Sequence, residues 1–211
     1  MRPDVEIFLL RHGETVWNRE GRFQGRLDSP LTLRGLRQAL AAGRLLRRRL
    51  GPGLLGFALV ASPQPRAWQT AVLLAEVAGV DPAAVRLDPR VVEISWGRWD
   101  GLTAAEIAAR DPELWQRRID DGLAEPPPNG GESRPAVWRR ARAWLAGLPA
   151  GARLVLVSHG TFGRALRCVH RGLDPAAMLE MRFPNDRLYR LHAGGIEEIA
   201  LPARGPSGGA R

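Results

Sequence analysis

Short apolar runs alternate along the chain with longer amphipathic ones. Val5 to Leu10, Phe57 to Ala61 and Leu154 to Val157 are rich in β-formers and far too short to span a membrane, so they read as buried strands. Helical patterns lie between them. Thr32 caps one that runs through Gln38 to Leu50, where Gly51-Pro52-Gly53 breaks it. Ser62-Pro63 opens a second, which carries Arg66 and runs to about Ala78. Asp81-Pro82 opens a short turn, and Val91-Val92 leads into Glu93 through an irregular stretch. Thr103 caps a helix through Ala109, and Asp111 followed by Pro112 starts another. Glu125 to Glu132 is rich in proline and glycine and reads as loop. One helix then spans about Pro135 to Leu148 and another follows His159 to about His170. Leu188 to Leu191 and Gly195 to Leu201 form a closing hairpin. Strands alternating with helices predict an α/β fold whose mostly parallel central sheet is covered on both faces. Trp68, Trp138 and Trp144 fall on helical patterns and are expected in the core, and no internal repeat is present.

Two of the strands end alike. Val5 to Leu10 runs into Arg11-His12-Gly13-Glu14, and Leu154 to Val157 runs into Ser158-His159-Gly160. In an open α/β sheet, ligands bind at the carboxyl ends of strands. Two strands that each deliver a histidine there can place both imidazoles in one pocket.

The chain has 211 residues, 45% of them hydrophobic, enough for one well-buried domain and too few for two. We assign residues 1–202 to that domain, with a lid or insertion at about 100–135, and 203–211 to a disordered tail. Met1-Arg2-Pro3-Asp4 lacks the apolar centre of a signal peptide, and one cysteine, Cys168, rules out an internal disulfide. Both point to a reducing cytoplasm. The formal net charge is +9 and every basic side chain except histidine is arginine. The arginines are dispersed apart from Arg44 and Arg47-Arg48-Arg49 at the end of a helix, where cations complement the dipole. That distribution argues against nucleic acid as the main partner and leaves a field that gathers small anions. No membrane partner is expected, and a homodimer is left open.

The ordered motifs resemble the histidine phosphatase superfamily, which includes the cofactor-dependent phosphoglycerate mutases. Arg11-His12-Gly13-Glu14 with Trp17-Asn18 matches the first signature, followed in order by Gln24-Gly25, Asp28, Pro30-Leu31-Thr32 and Gly35. Ser62-Pro63, Arg66-Ala67 and Gln69-Thr70-Ala71 match the second block. Glu93, Gly97, Trp99 and Gly101 match the third, Gly131-Glu132-Ser133 the fourth, and Ser158-His159-Gly160 the fifth. A single triplet would be weak, but the ordered set covers roughly residues 5–165. The resemblance implies a three-layer α/β/α sandwich.

It also implies roles. His12 is the nucleophile, attacking phosphorus in line as a neutral imidazole to give a phosphohistidine. Arg11, Arg66 and a protonated His159 clamp the phosphoryl oxygens, with Asn18 and the Gly160 amide as further donors. Glu93 is the general acid, its pKa raised by substrate charge and by Trp96 and Trp99. Each residue has a plainer reading: the histidines as hydrogen-bonded core groups, Arg66 as a surface helix residue, Glu93 as an ordinary ion-pair partner. No third ligand accompanies the histidines at metal-site spacing, so no metal or cofactor is expected. Three departures from the mutase pattern favour hydrolysis: Trp96 in place of a tyrosine, Thr161 in place of an asparagine, and a short lid. Trp115-Gln116-Arg117-Arg118 pulls the other way, because it resembles the tryptophan and arginine pair with which mutases hold a substrate carboxylate. Gln24, Gly25, Arg22, Arg117 and Arg118 complete the expected substrate contacts, with Arg26 and Arg98 also near the mouth. The reading is a metal-independent phosphomonoesterase acting on small anionic phosphorylated metabolites. The alternatives are a phosphoglycerate mutase and, in another class, a non-catalytic phosphate- or nucleic-acid-binding module.

Overall fold

A computed structural model describes residues 4–202, so the expectations for 203–211 and for the first three residues lie outside it. Six strands form one sheet in the order β3-β2-β4-β1-β5-β6. They are β1 (Glu6–Arg11), β2 (Ala58–Ala61), β3 (Arg86–Leu87), β4 (Arg153–Ser158), β5 (Arg187–His192) and β6 (Gly195–Ala200). The first four are mutually parallel, and the β5–β6 hairpin adds antiparallel to β1, as the closing hairpin predicted.

The period of two along β1 explains the two covered faces. Ile7 and Leu9 point into one core with Leu154 and Leu156, while Phe8 and Leu10 point into the other with Val155 and Val157. Helices α2 (Leu33–Leu50) and α3 (Pro65–Ala78) cover the Phe8 face, and α6 (Arg134–Ala146) and α7 (Gly160–His170) cover the Ile7 face. The remaining helices are α1 (Val16–Glu20), α4 (Ala104–Arg110) and α5 (Pro112–Asp120). Thr32 caps α2 by accepting from the Gly35 amide, as its position predicted. Asp111 precedes α5 without a side-chain cap, because its carboxylate is taken by Arg98 and by the Trp99 indole N–H.

Two core expectations need correction. Trp144 is buried and donates from Nε1 to Asp88 at 2.9 Å, but Trp138 is only half-buried. Trp68 is 48% exposed, because the buried stripe of α3 runs through Ala67, Ala71, Leu74 and Ala78 and leaves position 68 facing water. Cys168 is fully buried, and burial pushes its thiol up to about 11, the behaviour of an inert packing residue. Among the described residues no helix is long and apolar enough to cross a membrane.

Candidate active site

β1 and β4 lie side by side in parallel, with Arg11 opposite Ser158, so both histidine motifs leave the sheet at one edge. The His12 amide donates to the Ser158 carbonyl at 2.9 Å, and the two imidazole centroids are 5.3 Å apart. Strand adjacency has joined residues 147 positions apart in the chain. His12 borders a cleft of about 430 Å³, and His159 lies buried behind it.

His12 is 2% exposed and lines the cleft. Its Nδ1 lies 2.8 Å from the Gly13 carbonyl, which can only accept, so Nδ1 carries the proton. The lone pair is therefore on Nε2, where the Arg66 Nε–H donates to it at 3.3 Å. Burial, then the charges of Arg66 and Arg11, push the His12 pKa well below 6.5, so the ring is neutral at pH 7.

Arg66 is 1% exposed although charged. Asp28 holds it at 2.7 Å, and the Leu27 and Gly25 carbonyls accept from it at 2.6 and 3.0 Å. Gly25 occupies the left-handed region at φ 51°, and a Cβ there would fall 1.6 Å from an Asp100 oxygen, so no larger residue fits. Its contribution to the cleft is the carbonyl that aims Arg66. Arg11 donates to the Phe183 carbonyl at 3.2 Å, while its Nε is buried with no partner among the described residues. Burial, then like charge on Arg164 and Arg66, lowers the Arg11 pKa to about 10 despite the opposing pull of Glu93.

Glu93 approaches from the irregular segment after residue 91. Its Oε1 accepts from the Thr161, Phe162 and Ile94 amides at 3.0, 3.3 and 3.0 Å. The amino end of α7 thus grips the carboxylate, the placement a helix dipole favours. A Cβ on Gly160 would lie 3.4 Å from Glu93 Oε2 and 3.5 Å from the Arg11 Cζ, so Gly160 sits between acid and clamp. Asn18 closes the other side. Its Oδ1 accepts from the Thr15 amide in the capping box of α1, which leaves its NH₂ for the cleft.

Of the other expected contacts, Gln24 and Arg22 line the cleft, but Arg22 is tied to Glu20 at 2.9 Å and Glu106 at 2.7 Å. Arg117 and Arg118 do not reach it. Arg117 is more than half exposed and pairs with Glu125; Arg118 is buried over the Trp96 ring, 5.1 Å from its centroid, donating to the Glu125 carbonyl. The helical register of α5 turns them elsewhere. The segment 100–135 packs behind the cleft wall. None of its residues lines the wall, and it backs Trp96 and Phe23 through Trp115 and Arg118. Arg26 and Arg98 are likewise absent from the wall.

His159 departs from expectation in two ways. It is fully buried beside His12 and is not on the cleft wall, and both of its ring nitrogens lack a partner among the described residues. Burial, then Arg66, His12 and Arg11, push its pKa well below 6.5. The two imidazoles are thus both neutral here, since the same cations act on each.

Three arginines of the cleft were recognised in advance (Arg11, Arg22, Arg66); Arg164 and Arg182 were not. Arg164 lies one turn after Gly160 on α7, donating to the Gly160 carbonyl at 3.2 Å and to Thr161 Oγ1 at 3.3 Å. Its i+4 spacing from Gly160 is a usable signal. Arg182 precedes Phe183 in a segment with no motif, and nothing in the sequence marks it. Among the described residues five arginines and one acid, Glu93, line the wall. That is an anion site.

A family model for branch 1 of the histidine phosphatase superfamily matches residues 7–198. The chain belongs to this superfamily. It is 41% identical over 191 residues to Bifunctional protein Rv2228c of Mycobacterium tuberculosis, covering 89% of this chain and 47% of that protein. The chain thus spans about half the length of that relative. It is 35% identical over 190 residues to the probable phosphoglycerate mutase GpmB of Yersinia enterocolitica, covering 89% and 84%. Among solved structures, mycobacterial glucosyl-3-phosphoglycerate phosphatase Rv2419c, complexed with VO3, superposes with a TM-score of 0.74 at 32% identity, covering 92% of this chain and 96% of that one. The phosphoglycerate mutase-like α/β fold inferred from the motifs is the fold of this family.

Proposed function

We propose that this chain is a phosphomonoesterase that works through a phosphohistidine. The observation carrying this reading is the state of His12: Nδ1–H locked to a carbonyl, Nε2 unprotonated, in a cleft of arginines. A neutral Nε2 has a lone pair to give, and the surrounding guanidiniums attract the phosphate it must attack.

In the first step Nε2 attacks phosphorus, the bond to the leaving oxygen breaks, and the Glu93 carboxyl gives that oxygen its proton. In the second, the Glu93 carboxylate takes a proton from water, whose oxygen attacks the phosphohistidine and releases inorganic phosphate and His12. Arg66 turns its Nε–H from the His12 lone pair to a phosphoryl oxygen, and the unpartnered Nε of Arg11 supplies a second bond. His159 takes up a proton when the phosphoryl dianion arrives, because the added negative charge reverses the field that holds it neutral. No step requires a metal.

The substrate is a small phosphorylated metabolite. The cleft has room beyond a phosphoryl group, and Arg164 and Arg182 lie on its wall with no carboxylate partner among the described residues. They favour a leaving group that carries a second anionic group. The mutase reading rested on Arg117 and Arg118, and their absence from the cleft weakens it. The single cysteine fits a reducing cytoplasm as the compartment. The test is phosphate release from phosphorylated glycerates, sugars and nucleotides in EDTA, with 3-phosphoglycerate isomerisation followed alongside. Release without isomerisation, lost in His12→Ala, is expected. Isomerisation dependent on a bisphosphoglycerate primer makes the chain a mutase, and full activity in His12→Ala refutes the nucleophile.

A further inference from the structure

The Gly131-Glu132-Ser133 motif has no part in the chemistry above, yet its carboxylate sits at the hub of the segment that carries Glu93. That segment is irregular from residue 92 to 96 and lacks ladder bonds, so its backbone groups need partners from elsewhere. Glu132 Oε2 accepts from the Ser95 amide at 3.2 Å, and the Glu132 amide donates to the Ser95 carbonyl at 2.9 Å. The same carboxylate grips Arg140 of α6 through two oxygens, at 3.2 Å from Nε and 3.0 Å from Nη2. Arg140 in turn donates from Nη1 to the Arg90 and Val92 carbonyls at 2.9 and 2.8 Å. On the other flank Gln64 accepts from the Glu93 amide at 2.8 Å and donates to the Gly25 carbonyl at 2.7 Å, the carbonyl that also holds Arg66.

We propose that the Glu132–Arg140 pair is a positioning device for the general acid. The paired guanidinium and carboxylate fix the backbone on both sides of Glu93, so that its carboxyl meets the leaving oxygen of an ester whose phosphorus is held by Arg66 and Arg11. The bidentate fork matters because a planar guanidinium gripped at two points cannot rotate, and both carbonyls it serves are then fixed relative to α6. Neither residue lines the cleft, so neither touches substrate. A proton must pass over a fraction of an ångström in the transition state, and a loose acid loses rate even when present.

This inference rests on Glu93 being the acid, and one experiment separates the two ideas. Glu132→Gln, Arg140→Lys and Glu93→Gln are each assayed on p-nitrophenyl phosphate, whose leaving group departs without a proton, and on glycerol 2-phosphate, whose leaving group needs one. Glu132→Gln and Arg140→Lys should each lower kcat/KM, which reports transfer to His12 and not the common hydrolysis of the phosphohistidine, about tenfold on the alkyl ester and less than threefold on the aryl ester. Placed in the Glu93→Gln background, Glu132→Gln should change the alkyl rate less than twofold, because the acid it positions is gone. Equal losses on both esters, or full additivity with Glu93→Gln, overturn the proposal. Selectivity in Glu93→Gln alone, with both brace variants like wild type, also overturns it and leaves Glu93 as the acid. No selectivity in Glu93→Gln removes the acid and the brace together. If Glu132→Gln does not fold, Arg140→Lys keeps charge and volume and decides the question.

Discussion

The two buried imidazoles make a quantitative prediction about stability and pH. His12 and His159 are both held well below 6.5 by burial and by neighbouring arginines, so the folded protein keeps them neutral. In the unfolded chain each takes up a proton as the pH falls through 6.5. Below that value the unfolded state binds two more protons than the native one, and stability is lost as the pH drops. The contribution is fully present above pH 6.5. Between pH 7.5 and 5.5 the pair should remove up to roughly 3 kcal/mol, a large part of a domain's typical ~5–15 kcal/mol. The assay is urea unfolding at several pH values for wild type and for a His12→Asn/His159→Asn variant, whose amides do not titrate. His170 is also pushed down by burial, but it is common to both proteins and cancels in the comparison. Wild type should lose the stated amount more than the variant over that range. Saturating inorganic phosphate should flatten the wild-type curve, since a dianion raises the imidazole pKa values. Parallel curves for the two proteins would refute the claim that the cleft holds both histidines neutral.

Three further outcomes follow from the packing around the clamp. A Cβ on Gly163 would lie 2.1 Å from the Phe183 ring, whose residue's carbonyl holds Arg11, so Gly163→Ala should lower Tm by overpacking worth about 1–3 kcal/mol and raise KM for any phosphate ester; unchanged Tm and KM would show the ring yields freely. Arg66→Met removes a fully buried cation from Asp28 and from two backbone carbonyls; it should cost about 3–5 kcal/mol in urea unfolding and nearly all turnover, and a loss below ~1 kcal/mol would refute the burial argument. Arg164→Ala should raise KM about tenfold for substrates with a second anionic group. Arg117→Ala, at a solvent-facing position paired with Glu125, should leave KM unchanged, and the reverse ranking would return Arg117 to the substrate.

Much of the molecule was legible before folding, and the reason is local. Continuous apolar runs of four to six residues rich in β-formers carry a local strand signal, and Thr32, Thr103 and the closing hairpin carry theirs within a few residues. The motifs also marked His12, Glu93, Arg66 and Arg11, all of which line the cleft. The misreadings involve properties that depend on distant groups. Arg118 was expected on the substrate, yet it is buried over the Trp96 ring, because what a helical side chain meets depends on what packs against the helix. Arg182 and the segment near 181–184 reach the cleft only because β5 pairs beside β1.

Order along the chain therefore settled which chemical groups this protein has and which strands would carry them, since strand and cap preferences act over a handful of residues. Whether those groups meet, and in what protonation state, depended on the register of β1 against β4 and on the charges that this register gathers. Electrostatic fields and burial are sums over neighbours from the whole chain. For that reason His159, expected to be charged, has its pKa pushed well below 6.5 by burial first and then by Arg66, His12 and Arg11 around it.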